Sequence, residues 1–526
     1  MKKLRKLLSV AVAALAAASL AVTTTVTSFA ADDTGSITIT GTNEKHTYEA
    51  YQIFSGRLEG TTLSDIEWGN GVTDTTTLLN EIKAVEGFEK CDSAATVAEA
   101  LKDANLQSIA DIISKHLNSA NAKKLTTSET SATVSNIPVG YYLIKDTDES
   151  LENKDEAYTR FIVKVVGAAS AAVKSDKPTL DKKVLDDDDD AENGKTWQDV
   201  ADYDIGDEVP FKLTATMPNT IGDYEKYTLV FKDTMSEGLT YVDVTDIKIN
   251  GTSVENLKDD NNIVIAGEGQ SLTVTITNLL NGSYGKITQD TKVEVYFKAK
   301  LNENAKIGNA KGNPNEAYLE YSNNPNVGGE DDKGKTPEDK VVVFTYQLNV
   351  EKVDGERTND KLEGAEFKLQ NADDQYLVID PETNKVVKWG TAEEASTLKT
   401  DASGLIKVIG LDEGTYTLTE TKAPTGYNKL GKPVELVITA DDVHGQDYDG
   451  SNAPALCPTI NITADREPGS ADAASGVLGA EIANHKGTTL PETGGIGTTI
   501  FFVGGGIVVA GAAILLIVKR RMRSDS

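Results

Sequence analysis

Between residues 35 and 486 the apolar positions recur mostly at every second residue, in short runs broken by Gly, Asn and Asp. That period is the mark of half-buried strands joined by turns. Runs at 227–231, 240–244, 271–276 and 292–299 are rich in β-branched and aromatic residues and predict a nearly all-strand unit from Pro178 to about Phe344. Further runs at 366–369, 375–379, 405–409, 415–420 and 434–438 predict a compact sandwich from Tyr346 to near Lys486. The stretch from Gly35 to about Val173 differs. Strands are expected at 36–40, 140–144 and 160–166, but Ile109, Ile112, Ile113 and Leu117 fall on one helical face behind a capping-box pattern of Ser108 and Asp111. The expected fold is mainly β, with tandem immunoglobulin-like β-sandwich domains of which the first carries a helical insert (α+β).

The two ends follow another pattern. Lys2, Lys3, Arg5 and Lys6 precede an apolar stretch at 7–22, and Ser28, Phe29 and Ala30 supply a signal-peptidase site. The mature chain is expected to begin near Ala31, outside the cell; the short apolar stretch argues against an N-terminal membrane anchor. Near the other end, the 19 residues 500–518 carry no charge and are followed by Lys519, Arg520, Arg521 and Arg523. That length suits one membrane crossing with a cytoplasmic basic tail. The expected divisions are 1–30 for the signal peptide, 31–175, 176–345 and 346–487 for three domains, and 488–526 for the C-terminal signal.

Charge and composition narrow the function. Of the 52 basic and 82 acidic residues, eight bases and one acid lie in the two processed ends, so the mature chain carries −37. This argues against nucleic acid and anionic membranes as partners. Four histidines, no nucleophile motif and no metal-ligand spacing argue against an enzyme acting on an outside substrate, and neither cofactor nor metal is expected. The acidic run 186–190 is too charged to pack and predicts a loop, either solvated or holding calcium. Cys91 and Cys457 lie far apart and in different domains, which argues against an internal disulfide.

Leu490, Pro491, Glu492, Thr493 and Gly494 stand just before the apolar span. Pentapeptide, span and basic tail together resemble the cell-wall sorting signal of Gram-positive surface proteins. The resemblance implies that a sortase attacks the Thr493 carbonyl, expels Gly494 onward and passes the acyl group to an amine. An uncleaved single-pass anchor is the alternative.

Within the third domain, Tyr346, Leu348, Val350 and Lys352 alternate along one strand, so Lys352 shares a face with three core residues. The segment from Tyr416 through Glu420, Pro424 and Gly426 to Tyr427 resembles the E-box of Gram-positive pilins and of the collagen-adhesin B-type domain. Ile482 and Asn484 share a face on the last strand. The resemblance implies an isopeptide bond between Lys352 and the Asn484 side chain, with Glu420 as the acid that polarises the amide and carries protons. Burial favours this chemistry, because desolvation disfavours both the ammonium and the carboxylate. A snorkelling lysine and a solvent-facing glutamate are the ordinary alternatives.

The second domain repeats the arrangement. Leu180, Lys182 and Val184 alternate in phase while Lys183 points the other way, so Lys182 is the expected nucleophile and Lys183 the alternative. Asp233 resembles the catalytic acid of pilin middle domains. Asn313, Asn315 and Asn323 all share the phase of Ala317, Leu319 and Tyr321; Asn315 is ranked first because it directly precedes the apolar stretch.

Over nearly its whole length the chain resembles the backbone subunit of sortase-assembled pili. The resemblance implies that Thr493 of one copy joins a lysine at the end of the first domain of the next. Lys174 holds the expected position, with Lys177 as the alternative, although the Tyr and Pro of the family motif are missing around it. The implied partners are a pilus-specific and a housekeeping sortase, other copies head to tail, peptidoglycan, minor pilins and host surface ligands. A monomeric wall-anchored adhesin or a minor pilus subunit is the competing reading.

Overall fold

The computed structural model describes residues 34–487 apart from 102–105, 149, 152–155, 174–176, 187–195, 258–259, 326–332 and 444–445. The signal peptide, the sorting pentapeptide, the apolar span, Lys174 and positions 187–190 lie outside the described residues. Among those described, no helix is long and apolar enough to cross a membrane.

All strand pairings among the described residues stay within 34–172, 179–344 or 346–486. Each stretch folds as two sheets whose apolar faces meet, as alternating patterns require. In the first, Thr34–Thr40 lies between Ser131–Pro138, antiparallel, and Ala168–Ala172, parallel. The opposing sheet is built on Tyr48–Glu59, Gly140–Asp146 and Arg160–Val165. Three helices, Thr75–Ile82, Ala94–Ala100 and Leu106–Ser114, cover this sheet's far side through Leu78, Ile82, Val97, Ile109 and Ile113 packed on Phe54 and Leu143. The helical insert is therefore present, but Ser108 does not cap it. The helix has already started at Leu106, and the capping box belongs to Ser93 and Thr96 one helix earlier, where each side chain meets the other's backbone N–H.

In the second stretch the strand expected at 227–231 is Leu229–Met235, central in a seven-stranded sheet and flanked by Ser271–Ile276 and Asn313–Ser322. The strand expected at 240–244 runs on as Leu239–Ile249, because Lys292–Leu301 pairs with it along its length across two bulges. Asp186 is not in the acidic loop. It closes the strand Thr179–Asp186, is buried, and accepts from Gln198 Nε2 at 2.8 Å.

In the third stretch Tyr346–Asp354 and Val477–Asn484, the first and last strands, lie side by side and parallel, Lys352 opposite Ile482 and Asp354 opposite Asn484. Gly414–Lys422 sits in the facing sheet between Glu366–Gln370 and Val434–Ala440. One continuous apolar core runs from the second stretch into the third. Three aspartates of the second stretch accept from the third: Asp204 from Asp412 N at 2.8 Å and Trp389 Nε1 at 2.5 Å, Asp202 from Glu413 N at 3.3 Å, and Asp199 from Tyr448 N at 3.0 Å. The first and second stretches meet at Arg160, whose buried guanidinium pairs with Asp111 at 3.1 Å and donates to the carbonyls of Asp223 and Pro325 at 3.0 and 3.2 Å.

Candidate functional site

Buried groups of lysine, carboxyl and asparagine are contributed by both sheets of the second stretch and by both sheets of the third. In the second, alternation along Thr179–Asp186 turns Lys182 inward, where it has 0% exposure. Its Nζ donates to Asp233 Oδ2 and lies 5.3 and 5.2 Å from the ring centroids of Phe211 and Phe297, two stacked aromatics of the neighbouring strands. Burial among these rings pulls the Lys182 pKa down against the pull of Asp233, and burial raises that of Asp233 against the pull of Lys182. Both shifts move the pair toward its neutral forms.

Strand register puts Met235 opposite Asn315, two residues along from Asp233 opposite Ala317. The Asn315 side chain has 0% exposure, and neither its Nδ2 nor its Oδ1 has a hydrogen-bond partner among the described residues; Asp233 Oδ1 also lacks one. A buried amide with both ends unpaired is costly unless something else engages it. Asn313 is the opposite case. Its Oδ1 accepts from Lys306 N at 2.8 Å and its Nδ2 donates to the carbonyls of Lys306 and Val343 at 3.0 and 3.1 Å, so it is fully occupied in holding a turn. Asn323 faces the first stretch instead: its Nδ2 donates to the Glu156 carbonyl at 3.1 Å and its main-chain carbonyl accepts from Tyr158 N at 2.7 Å, while its Oδ1 has no partner among the described residues. Lys183 points away, as its phase requires, and pairs with Asp199 at 2.5 Å and Asp181 at 3.2 Å. Burial opposes its charge, but those carboxylates outweigh it and raise its pKa, so it stays an ammonium.

In the third stretch Lys352 also has 0% exposure, and its Nζ donates to the Ile482 carbonyl at 2.7 Å. Burial brings its pKa down to about 8, against an opposing pull from Glu420. Asn484 Nδ2 donates to Glu420 Oε1 at 2.8 Å, Leu430 N donates to Oε2 at 2.7 Å, and Asn484 Oδ1 has no partner among the described residues. The three residues come from three strands, Tyr346–Asp354, Gly414–Lys422 and Val477–Asn484, of two sheets. An amine near neutrality, an amide and a carboxyl in one dry site have the parts for amide exchange with loss of ammonia. The aromatic clamp on Lys182 and the Leu430 N–H on Glu420 did not stand out in the sequence. Phe211 shares its strand's inward phase with Val209 and Leu213, which is the signal that marks it as core.

Lys177 is described and half-buried just ahead of the strand Thr179–Asp186. Among the described residues no group of three or more His, Cys, Asp or Glu side chains could hold a metal ion. Cys91 and Cys457 are buried free thiols, and burial pushes the Cys457 thiol far up.

Comparison with known proteins gives matches along the chain. Residues 205–325 match the Gram-positive pilin backbone subunit 2, Cna-B-like domain; 346–451 match the prealbumin-like fold domain; and 483–525 match the LPXTG cell wall anchor motif. The Cna-B-like match thus falls on the middle stretch. The chain is 26% identical over 284 residues to the trypsin-resistant surface T6 protein of Streptococcus pyogenes serotype M6, covering 51% of this chain and 47% of that protein. It is 28% identical over 327 residues to fimbrial subunit type 2 of Actinomyces naeslundii, covering 56% and 59%. The chain therefore spans about half the length of the curated relatives it matches. The solved T6 backbone pilin of serotype M6 Streptococcus pyogenes, described as modular and three-domain, superposes with a TM-score of 0.51 at 19% identity, covering 88% of this chain and 100% of that one, which establishes a shared fold. A Gram-positive pilin backbone domain, a prealbumin-like fold domain and an LPXTG anchor motif thus match successive parts of this chain.

Proposed function

We propose that the chain is the backbone subunit of a covalently polymerised pilus, fused within its second and third domains by its own side chains and between copies by sortase. The observation that carries this reading is the repeated buried triad: Lys182, Asp233 and Asn315, then Lys352, Glu420 and Asn484. In the third domain, the neutral Lys352 amine attacks Cγ of Asn484. As the Nζ–Cγ bond forms and the Cγ–Nδ2 bond breaks, Glu420 gives a proton to the departing nitrogen that already contacts it and takes one from Nζ, and ammonia leaves. One amide replaces another, with no oxidant or cofactor needed. Asp233 serves Lys182 and Asn315 in the same way. The chain is its own single-turnover catalyst rather than an enzyme.

The mechanical consequence fits a shaft. A bond between the first and last strands of the third domain lets tension bypass hydrogen bonds worth only ~1 kcal/mol each. Between copies, Thr493 would be joined to Lys174, with Lys177 the alternative acceptor. Head-to-tail bonding is heterologous and does not close, which builds a filament. Pilus-specific and housekeeping sortases, peptidoglycan at the base and minor pilins are the partners this requires. Immunoblots of wall extracts test it: a ladder of high-mass species that Lys174→Ala abolishes is expected, and a single wall-linked band would establish the monomeric adhesin instead.

A further inference from the structure

Beyond each reactive residue of the third-domain triad the chain carries, on or just past the same strand, a side chain of a second cluster. Asp354 follows Lys352 by two positions, Lys486 follows Asn484 by two, and Tyr427 follows Glu420 at the end of the same loop. Asp354 is buried; its Oδ1 accepts from Glu356 N at 2.9 Å and Arg357 N at 3.3 Å. Its Oδ2 accepts from Tyr427 Oη at 2.8 Å and from Lys486 Nζ at 3.0 Å. The Lys486 ammonium also lies 5.0 Å from the Tyr427 ring centroid. Main-chain bonds close the same corner: Gly355 N to the Asn484 carbonyl at 2.9 Å and Asn428 N to the His485 carbonyl at 3.0 Å. The exposed His485 ring packs over Gly355, where a Cβ would lie 2.3 Å from it. The Glu356 N–H, the Tyr427 hydroxyl and Lys486 together hold the Asp354 carboxyl far below the usual range, so it is an anion at any working pH.

The last strand ends at Asn484, the residue whose amide must stay against Glu420. Strand ends fray, and Asn484 would be lost from the acid by a movement of one residue. We infer that Asp354, Tyr427 and Lys486 form a latch that positions the Asn484 amide against Glu420 and Lys352 for the exchange reaction. None of the three touches the reacting atoms; all are positioning residues. The inference rests on the proposed Lys352–Asn484 bond.

The test follows the branched Lys352–Asn484 peptide by mass mapping of the full chain at intervals after a pulse of synthesis, with the Lys182–Asn315 peptide of the same molecules as an internal clock. Asp354→Ala is expected to slow the third-domain bond about tenfold, and Tyr427→Phe and Lys486→Met several-fold, with the second-domain bond unchanged. Lys486→Arg, which keeps the ion pair, restores the rate; a purely structural effect of the side chain's bulk would not separate Arg from Met. Should Asp354→Ala fail to fold, the two milder variants carry the test. Wild-type rates in Tyr427→Phe and Lys486→Met overturn the latch while leaving the crosslink standing, whereas a wild-type chain without the branched peptide removes both.

Discussion

Two lysines adjacent in sequence have opposite chemistry because one strand turns them to opposite faces. Burial between Phe211 and Phe297 pulls the Lys182 pKa down; the carboxylates of Asp199 and Asp181 raise that of Lys183. Burial brings Lys352 down to about 8, which gives a pH signature. The free amine is the attacking form, so the third-domain bond should form faster as pH rises, nearly tenfold per unit below 8, and level off above it. Pulse labelling at several pH values measures this. The same depression sets the sign for stability in an uncrosslinked Asn484→Ala chain. The unfolded lysine binds its proton more tightly than the folded one, so stability rises with pH from about 8 toward the ordinary lysine value of 10.5. Side-chain phase made Lys182, Lys352 and Asn484 legible in the sequence. Phase could not choose among Asn313, Asn315 and Asn323, which share it; the choice lies in hydrogen bonds to Lys306, Val343 and Glu156, residues no alternation pattern connects. Asn315→Ala should therefore abolish the second-domain bond. Asn313→Ala should retain it but destabilise the fold by about 2 kcal/mol, since it leaves buried partners unpaired. Peptide mapping and denaturant titration separate the two effects.

At the scale of elements, the first and last strands of the third domain are parallel neighbours, so the proposed bond closes nearly the whole domain into one loop. By analogy with a disulfide closing so long a loop, Asn484→Ala should cost about 5 kcal/mol of unfolding free energy, read from urea titrations of both chains. Strand positions were legible because alternation survives in Leu405–Leu411, Gly414–Lys422 and Val434–Ala440 almost as the pattern placed them. Helix starts were less so. Ser108 and Asp111 have the spacing of a capping box, but the chain had already turned helical at Leu106, and the true box at Ser93 carries Thr rather than Glu at its fourth position. Local spacing suggests a cap; the preceding backbone decides it.

For the molecule as a whole, the domains are linked by contacts that sequence patterns do not reveal, since their partners stand far apart in the chain. Asp204 reaches Trp389 and Asp412, and Arg160 reaches Asp223 and Pro325. Arg160→Met should release the first domain from the second, because it removes the donors to the Asp223 and Pro325 carbonyls, at a cost of about 3 kcal/mol that includes leaving Asp111 without its buried partner. Hydrogen exchange at Leu106–Ser114 and Ile221–Asp223 should rise together, and unchanged protection there would refute the role. Docked interfaces join the domains, and the bonds proposed for the two triads fuse the second and third domains within themselves. The measurement closest to that claim is the intact mass of the protein after removal of its processed ends. The expected mass lies below that of the sequence by two ammonia molecules, with Glu420→Ala and Asp233→Ala each giving back one. A chain that weighs its full sequence mass would contradict it.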